Sequence, residues 1–211
     1  MIPLSSMVVF LLAALGLLLI PGPAVIYIVT RSVAQGRRAG MASVLGIELA
    51  SLGHAVAAAF GLSAVLLASS TVFSLVKYAG AAYLVYLGVR AIFSRAVEPQ
   101  IEKGTPPSLS RLFRKGFLVQ ILNPKTALFF YAFLPQFVDP ARGSTVVQIL
   151  FLGALFVMLA IITDSAYALV TSGVGKLMLQ KAAFQRAQKY VTGGIYITLG
   201  LAAAVSGSGR K

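Results

Sequence analysis

Glu48, His54, Lys125 and Asp164 stand inside apolar stretches of this 211-residue chain, and Asn123 stands beside Lys125. An ionisable group in hydrocarbon costs at least ~2.5 kcal/mol on insertion scales, so each needs a partner or a task. A carboxylate at membrane depth can bind a cationic group or carry a proton between two states. A lysine beside a free helix N-terminus can hold an anion. An imidazole can relay protons, but a lone histidine makes no metal site, and no metal or cofactor is expected. The chain has no cysteine, hence no thiol nucleophile, disulfide or thiolate site.

These groups need helices that are interrupted at the right depth. Gln120 to Phe137 is apolar enough to cross a bilayer, yet it contains Asn123, Pro124 and Lys125. Proline removes a donor and breaks the helix, freeing backbone groups that lipid cannot satisfy. Such a break persists where it faces protein or a water-filled cavity, so it points to a pathway. A second break, Pro21-Gly22-Pro23, interrupts the first apolar segment.

Composition agrees with a membrane location. Hydrophobic residues make up 58% and charged residues 11%, where a soluble domain would be about a quarter charged. Six spans are predicted, near Pro3–Thr30, Ala42–Ala68, Thr71–Phe93, Gly116–Phe137, Val146–Thr171 and Tyr190–Val205. The N-terminus does not read as a cleaved signal peptide, since no Lys or Arg precedes its apolar run.

The net charge of +13 reads as a topogenic signal and not as a nucleic-acid surface, because the basic residues gather at span ends. The loops after spans one, three and five hold 13 of them, from Arg31, Arg37 and Arg38 through to Lys176, Lys181, Arg186 and Lys189; the opposite side holds 3. The positive-inside rule then places the basic loops in the cytoplasm and both termini outside. Residues 94–115 read as a flexible cytoplasmic linker rich in proline and charge. It joins halves 1–93 and 116–211, each with three spans. Similar halves with an odd number of spans must be inverted relative to each other. The expected fold is therefore all-α: one polytopic transporter domain of six transmembrane helices, in two inverted three-helix halves with broken first helices.

Residues spread over nearly the whole chain then resemble the lysine exporter (LysE/RhtB) family. They are Leu19-Ile-Pro-Gly-Pro23, Gly36-Arg-Arg-Ala-Gly40, Leu45-Gly46, His54, Gly61-Leu62, Lys77-Tyr-Ala-Gly-Ala-Ala-Tyr-Leu84 and Tyr86-Leu-Gly88. In the second half they are Phe113-Arg-Lys-Gly-Phe117, Asn123-Pro-Lys125 and Phe133-Leu-Pro-Gln-Phe137. The sequence is closer to the homoserine/threonine branch than to the lysine exporters proper. The resemblance implies six helices and export of amino acids or derivatives from the bacterial cytoplasm across the inner membrane, driven by the proton gradient.

A zwitterionic amino acid needs an anion site and an ammonium acceptor. For substrate binding the candidates are Pro21, Gly22, Pro23, Asn123, Pro124, Lys125, Asp164 and Tyr167; for proton coupling they are Asp164, Glu48 and His54. Glu48 lies ~9 Å and Asp164 ~10 Å from the basic end of its span, so the two acids share a level near the breaks. Tyr167 and Thr171 extend the polar face of Asp164 at i+3 and i+7. Each assignment has a structural alternative. Lys125 can cap nearby carbonyls, Glu48 can pair with Arg37 or Arg38, Asp164 can hold Lys125, and His54 can be a neutral imidazole bonded between helices. Lys77, at the outer start of its span, reads by default as a snorkelling side chain.

Gly46, Gly53, Gly61, Gly80, Gly88, Gly193, Gly194 and Gly200 read mostly as packing surfaces, and the run Phe129–Phe133 as lipid or core surface. Nothing demonstrates a homo-oligomer, though one stays open. An enzyme is disfavoured, since one histidine, no cysteine and no Gly-x-Ser-x-Gly leave little to build from. No phosphate-binding Gly-x4-Gly-Lys-Ser/Thr loop is present to drive transport by ATP. The alternatives are a passive channel, because broken helices also line pores, or an exporter for another small solute.

Overall fold

The computed structural model describes residues 2–68, 70–93 and 107–179, and positions 190, 193, 194, 197, 198, 200, 201 and 204. Every long element is a helix. The first span is α1 (Leu4–Leu19) followed by α2 (Pro23–Gln35), bent by 50° at the proline break. Pro23 opens α2 at a position where its missing N–H costs nothing. Gly36, with φ 80°, ends α2 in a left-handed turn that suits glycine. α3 (Arg37–Ala68) then starts at once.

α4 (Ser70–Phe93) coincides with the expected third span. The fourth is α5 (Leu109–Ile121) plus α6 (Pro124–Leu128), bent by 48°. The α6 segment continues through a π-helical turn, Phe129–Phe133, and a 3-10 turn, Leu134–Phe137. α7 (Thr145–Leu179) is the fifth. By length and apolarity, Arg37–Gly61 and Thr145–Gly173 can each cross a membrane, and each bent pair can count as one more span. The sixth span falls mostly outside the described residues, as do Ser94–Pro106 of the linker and the basic side chains at 176, 181, 186 and 189.

Two boundaries differ from the sequence reading. Ser108 caps α5 by accepting from the Arg111 N–H at 3.4 Å, so residues 109–115 are helical and not part of a flexible connection. Arg31 is not in a loop. It lies within α2, buried, with its guanidinium 5.4 Å from the Tyr27 ring centre.

α3 is the hub and packs on α2, α4, α5 and α7. Its crossing with α5 depends on glycine. A Cβ on Gly46 would strike the Phe113 carbonyl, and one on Gly116 would stand 2.7 Å from the Ser43 carbonyl. A Cβ on Gly40 would strike the Ser32 side chain and stand 3.0 Å from the Ala168 methyl, so Gly40 serves packing within the chain. A Cβ on Gly88 of α4 would likewise stand 2.8 Å from the Gly193 carbonyl oxygen. Among the described residues, a Cβ on Gly61 or Gly194 would meet nothing within 4 Å, unlike the packing expected of them.

Two apolar clusters fill the interior. The larger is aromatic: Phe10, Phe129, Phe130, Phe133 and Phe156, with Phe129 and Phe156 stacked at 4.4 Å. Phe129–Phe133 is thus core. The smaller holds Ala24, Ile28, Val44, Ile47 and Ala168, with Tyr27, Met41 and Tyr167 beside it.

The radial distribution of polarity decides the class. Leu45, Phe60 and Ile162 point outward, whereas Ser43, Glu48, Ser51, His54, Gln120, Asn123, Lys125 and Asp164 are buried. Next to each other on α3, Leu45 is 63% exposed and Glu48 4%. A molecule apolar on its perimeter and polar in its centre is built for a bilayer. This is an all-α polytopic membrane protein.

Candidate functional site

The two helix breaks meet. Leu17, Leu18, Gly22, Ala24 and Val25 from the first line the same cavity as Gln120, Asn123, Lys125 and Thr126 from the second. Glu48 of α3 and Phe156, Ala160 and Asp164 of α7 complete the wall. The cavity measures about 20 Å³, room for one water but not for an amino acid.

At the first break the backbone is extended, with Ile20 at φ −79°, ψ 118° and Gly22 at φ −104°, ψ −171°. That releases carbonyls at the end of α1, and side chains from the second half of the chain bond two of them. The Tyr167 hydroxyl donates to the Leu19 carbonyl at 2.9 Å, and Lys125 Nζ donates to the Ile20 carbonyl at 2.6 Å. A lysine suits the negative end of the α1 dipole. Its stem crosses Gly22, where an added Cβ would stand 3.2 Å from Lys125 Cδ. No side chain caps the start of α2, and Ala24 and Val25 in that first turn border the cavity.

The second break is self-contained. Asn123 Oδ1 accepts from the Lys125 N–H at 3.1 Å and caps α6. Asn123 Nδ2 donates to Gln120 Oε1 at 2.9 Å, and Gln120 Nε2 donates to Ser51 Oγ on α3 at 2.7 Å. His54 Nε2 bonds the Gln120 carbonyl at 3.2 Å, and its ring lies near-parallel to Phe130 at 6.1 Å. The contact between His54 Nδ1 and the Tyr131 hydroxyl is longer, at 3.5 Å.

Helical spacing brings the acids in. Val44, Ile47, Glu48 and Ser51 share the inward face of α3, while Phe156, Ala160, Asp164 and Ala168 share that of α7. Glu48 and Asp164 are close enough to feel each other's charge, and Asp164 also feels Lys125. Yet, among the described residues, both Glu48 oxygens and Asp164 Oδ1 are buried with no partner in full hydrogen-bond geometry, the two carboxyls lying against each other. Buried polar atoms are nearly always bonded, so three such atoms in one cavity make it the candidate site.

Of the residues singled out from sequence, Gly22, Asn123, Lys125, Glu48 and Asp164 converge on this cavity, and Pro21, Pro23 and Pro124 flank it in the chain. Tyr167 sits beside it through Leu19, and His54 stands behind Gln120, off the cavity wall. Thr171 donates to the Tyr167 carbonyl of its own helix and leaves the polar face. Arg37 and Arg38 are exposed and form no ion pair with Glu48, and among the described residues none within 4.0 Å joins Lys125 to Asp164. The Lys77 side chain lies outside the described residues. Gln120 and Ser51 were missed; their signals were a lone amide one turn before Asn123 and a hydroxyl one turn after Glu48.

The family model of the LysE type translocators matches residues 15–207, across both breaks and both acids. The chain belongs to the LysE type translocator family. It is accordingly a membrane transporter and not an enzyme. It is 31% identical to the homoserine/homoserine lactone efflux protein of Salmonella typhimurium over 159 residues, 75% of this chain and 77% of that one. Uncharacterized membrane proteins are also similar. One from Vibrio cholerae is 30% identical over 87% of this chain and 85% of its own length, and one from Pseudomonas aeruginosa is 31% identical over 96% and 92%. No solved structure matches the chain at a significant level.

Proposed function

We propose that this LysE-type translocator exports amino acids or their amine-bearing derivatives, of the homoserine/threonine kind, from the bacterial cytoplasm in exchange for protons. The observation that carries the proposal is the pair of buried carboxyls, Glu48 and Asp164, whose oxygens lack full hydrogen-bond partners among the described residues and face two helix breaks across one small cavity. The substrate ammonium binds between the carboxyls. Its carboxylate is held by the uncapped first turn of α2, with Lys125 supplying a full positive charge. A proton takes the place of the ammonium on the return step. The printed name of the Salmonella relative supports this solute class.

The halves are related as inverted repeats, an arrangement supported by the near-equal bends of 50° and 48° in the first span of each. The basic loops face the cytoplasm across the inner membrane, as the 13 to 3 distribution of basic residues supports. A cysteine placed at Ser144 is then labelled from outside the cell and one at Ser108 is not; the reverse pattern overturns this orientation. A passive channel fits a cavity of only about 20 Å³ poorly, since a pore needs a continuous path.

The test is energy coupling. Cells lacking their own exporters and expressing this chain are loaded with a panel of amino acids and lactones, and uphill efflux is followed. A proton conductor should abolish it, and Asp164→Asn should remove nearly all export at unchanged folded yield. Efflux that runs only downhill and ignores the conductor rejects the exchange. Full export by Asp164→Asn rejects the role given to the acid.

A further inference from the structure

Away from the central site, a groove of about 530 Å³ opens on the Arg37–Leu109 side of the α3–α5 crossing. That is the size of an ordinary ligand pocket. The crossing closes its inner end, because the helices touch where Gly46 meets Phe113 and Gly116 meets Ser43. Its walls are apolar: Met41, Ala42 and Leu45 from α3, and Leu109 and Phe113 from α5. Arg37 and Arg38 line it at the very end of the membrane-crossing stretch Arg37–Gly61.

The two arginines are the informative feature. Both are exposed, and neither side chain makes an ion pair or hydrogen bond with a described residue. None of the described acids, Glu48, Asp139 and Asp164, lines the groove. Ser110, which also lines the groove, accepts from Arg114 Nη2 at 3.4 Å. A strip that is apolar at bilayer level and doubly cationic at its end matches a molecule with an acyl chain below an anionic headgroup. Basic pockets between transmembrane helices bind such headgroups, while a soluble peptide or a free anion would leave the apolar walls unused.

We infer that this groove binds one anionic phospholipid, its phosphate on Arg37 and Arg38 and an acyl chain along Met41, Leu45 and Phe113. The site is independent of the transported solute.

The test uses the purified full-length chain in detergent and native mass spectrometry. It is titrated with phosphatidylglycerol, with phosphatidylcholine of the same acyl chains, and with glycerol phosphate. One phosphatidylglycerol should be retained per chain in preference to phosphatidylcholine. Arg37→Gln with Arg38→Gln should weaken retention roughly 30-fold, from the usual contribution of two interfacial cations. Ala42→Phe, which fills the groove and spares both arginines, should weaken it at least as clearly and guards against a topology defect in the double variant. Equal retention of both lipids overturns the inference. So does an unchanged affinity in Ala42→Phe, or displacement by glycerol phosphate alone, which would mark a simple anion site. A cross-link from a cysteine at position 42 to one placed within residues 94–106 would show the groove covered by the chain itself, and would also overturn it.

Discussion

The two breaks reach nearly the same bend with opposite chemistry. Pro21-Gly22-Pro23 has no side chain able to hydrogen-bond, and the carbonyls it frees are bonded from elsewhere, Leu19 by Tyr167 and Ile20 by Lys125. Asn123-Pro124-Lys125 brings its own cap, is anchored to α3 through Gln120 and Ser51, and exports a charge to the other break. The first is a receiving surface with a glycine for close approach; the second is a rigid, donating one. The difference teaches that the breaks act as a pair. Removing the donor should injure both, whereas altering the receiver should injure little.

The largest effect is therefore expected from Lys125→Met, which keeps the bulk and removes the charge. The Ile20 carbonyl loses a charge-assisted bond and Asp164 loses its nearest described counter-charge. A hydrogen bond from a charged group contributes about 1.5–3 kcal/mol. Export, followed as efflux from preloaded cells, should fall roughly 100-fold, equivalent to about 2.7 kcal/mol. Near-normal efflux from this variant would mean that the two breaks work independently.

Asn123→Ala comes next and acts on stability before transport. It removes the α6 cap and strips Gln120 Oε1 of its donor, at about 2 kcal/mol together. The thermal inactivation midpoint of the purified chain should drop, while export per folded molecule falls tenfold or less. No comparable substitution exists at the first break, where no side-chain cap is present to remove. A variant as stable as the parent would show that the proline alone shapes the second break.

The breaks themselves were legible, because proline's missing donor is a local property and lipid magnifies it. The common level of Glu48 and Asp164 was legible too, since helical rise converts residue count into depth. The partner of Lys125 was not. Its bond to Ile20 spans 105 positions, and sequence periodicity orders residues around one helix without setting the register between two. For the same reason Gln120 passed as a polar residue in a span, when its amide ties α3 to the second break. Charge does not imply a loop at Arg31, whose guanidinium is housed against Tyr27 within α2. The small size of the cavity depends on how Phe156, Leu17 and Leu18 pack along its wall, which composition cannot locate.

Gly22→Ala should have the smallest effect, and it probes the contact between the breaks directly. The backbone at Gly22, φ −104° and ψ −171°, is extended and open to any residue, so conformation does not demand glycine. Only the Lys125 stem does: the new methyl would stand 3.2 Å from Cδ and 3.6 Å from Nζ, a few tenths of an ångström too close. A flexible side chain can yield at a cost of about 1 kcal/mol or less, so export should fall about fivefold at most. In a Lys125→Ala background the obstacle is gone, and adding Gly22→Ala should then change nothing further. Non-additivity of that kind, read from a double-mutant cycle of efflux rates, is the signature of residues in contact. Strict additivity would place the penalty in the backbone of the first break and separate it from the second.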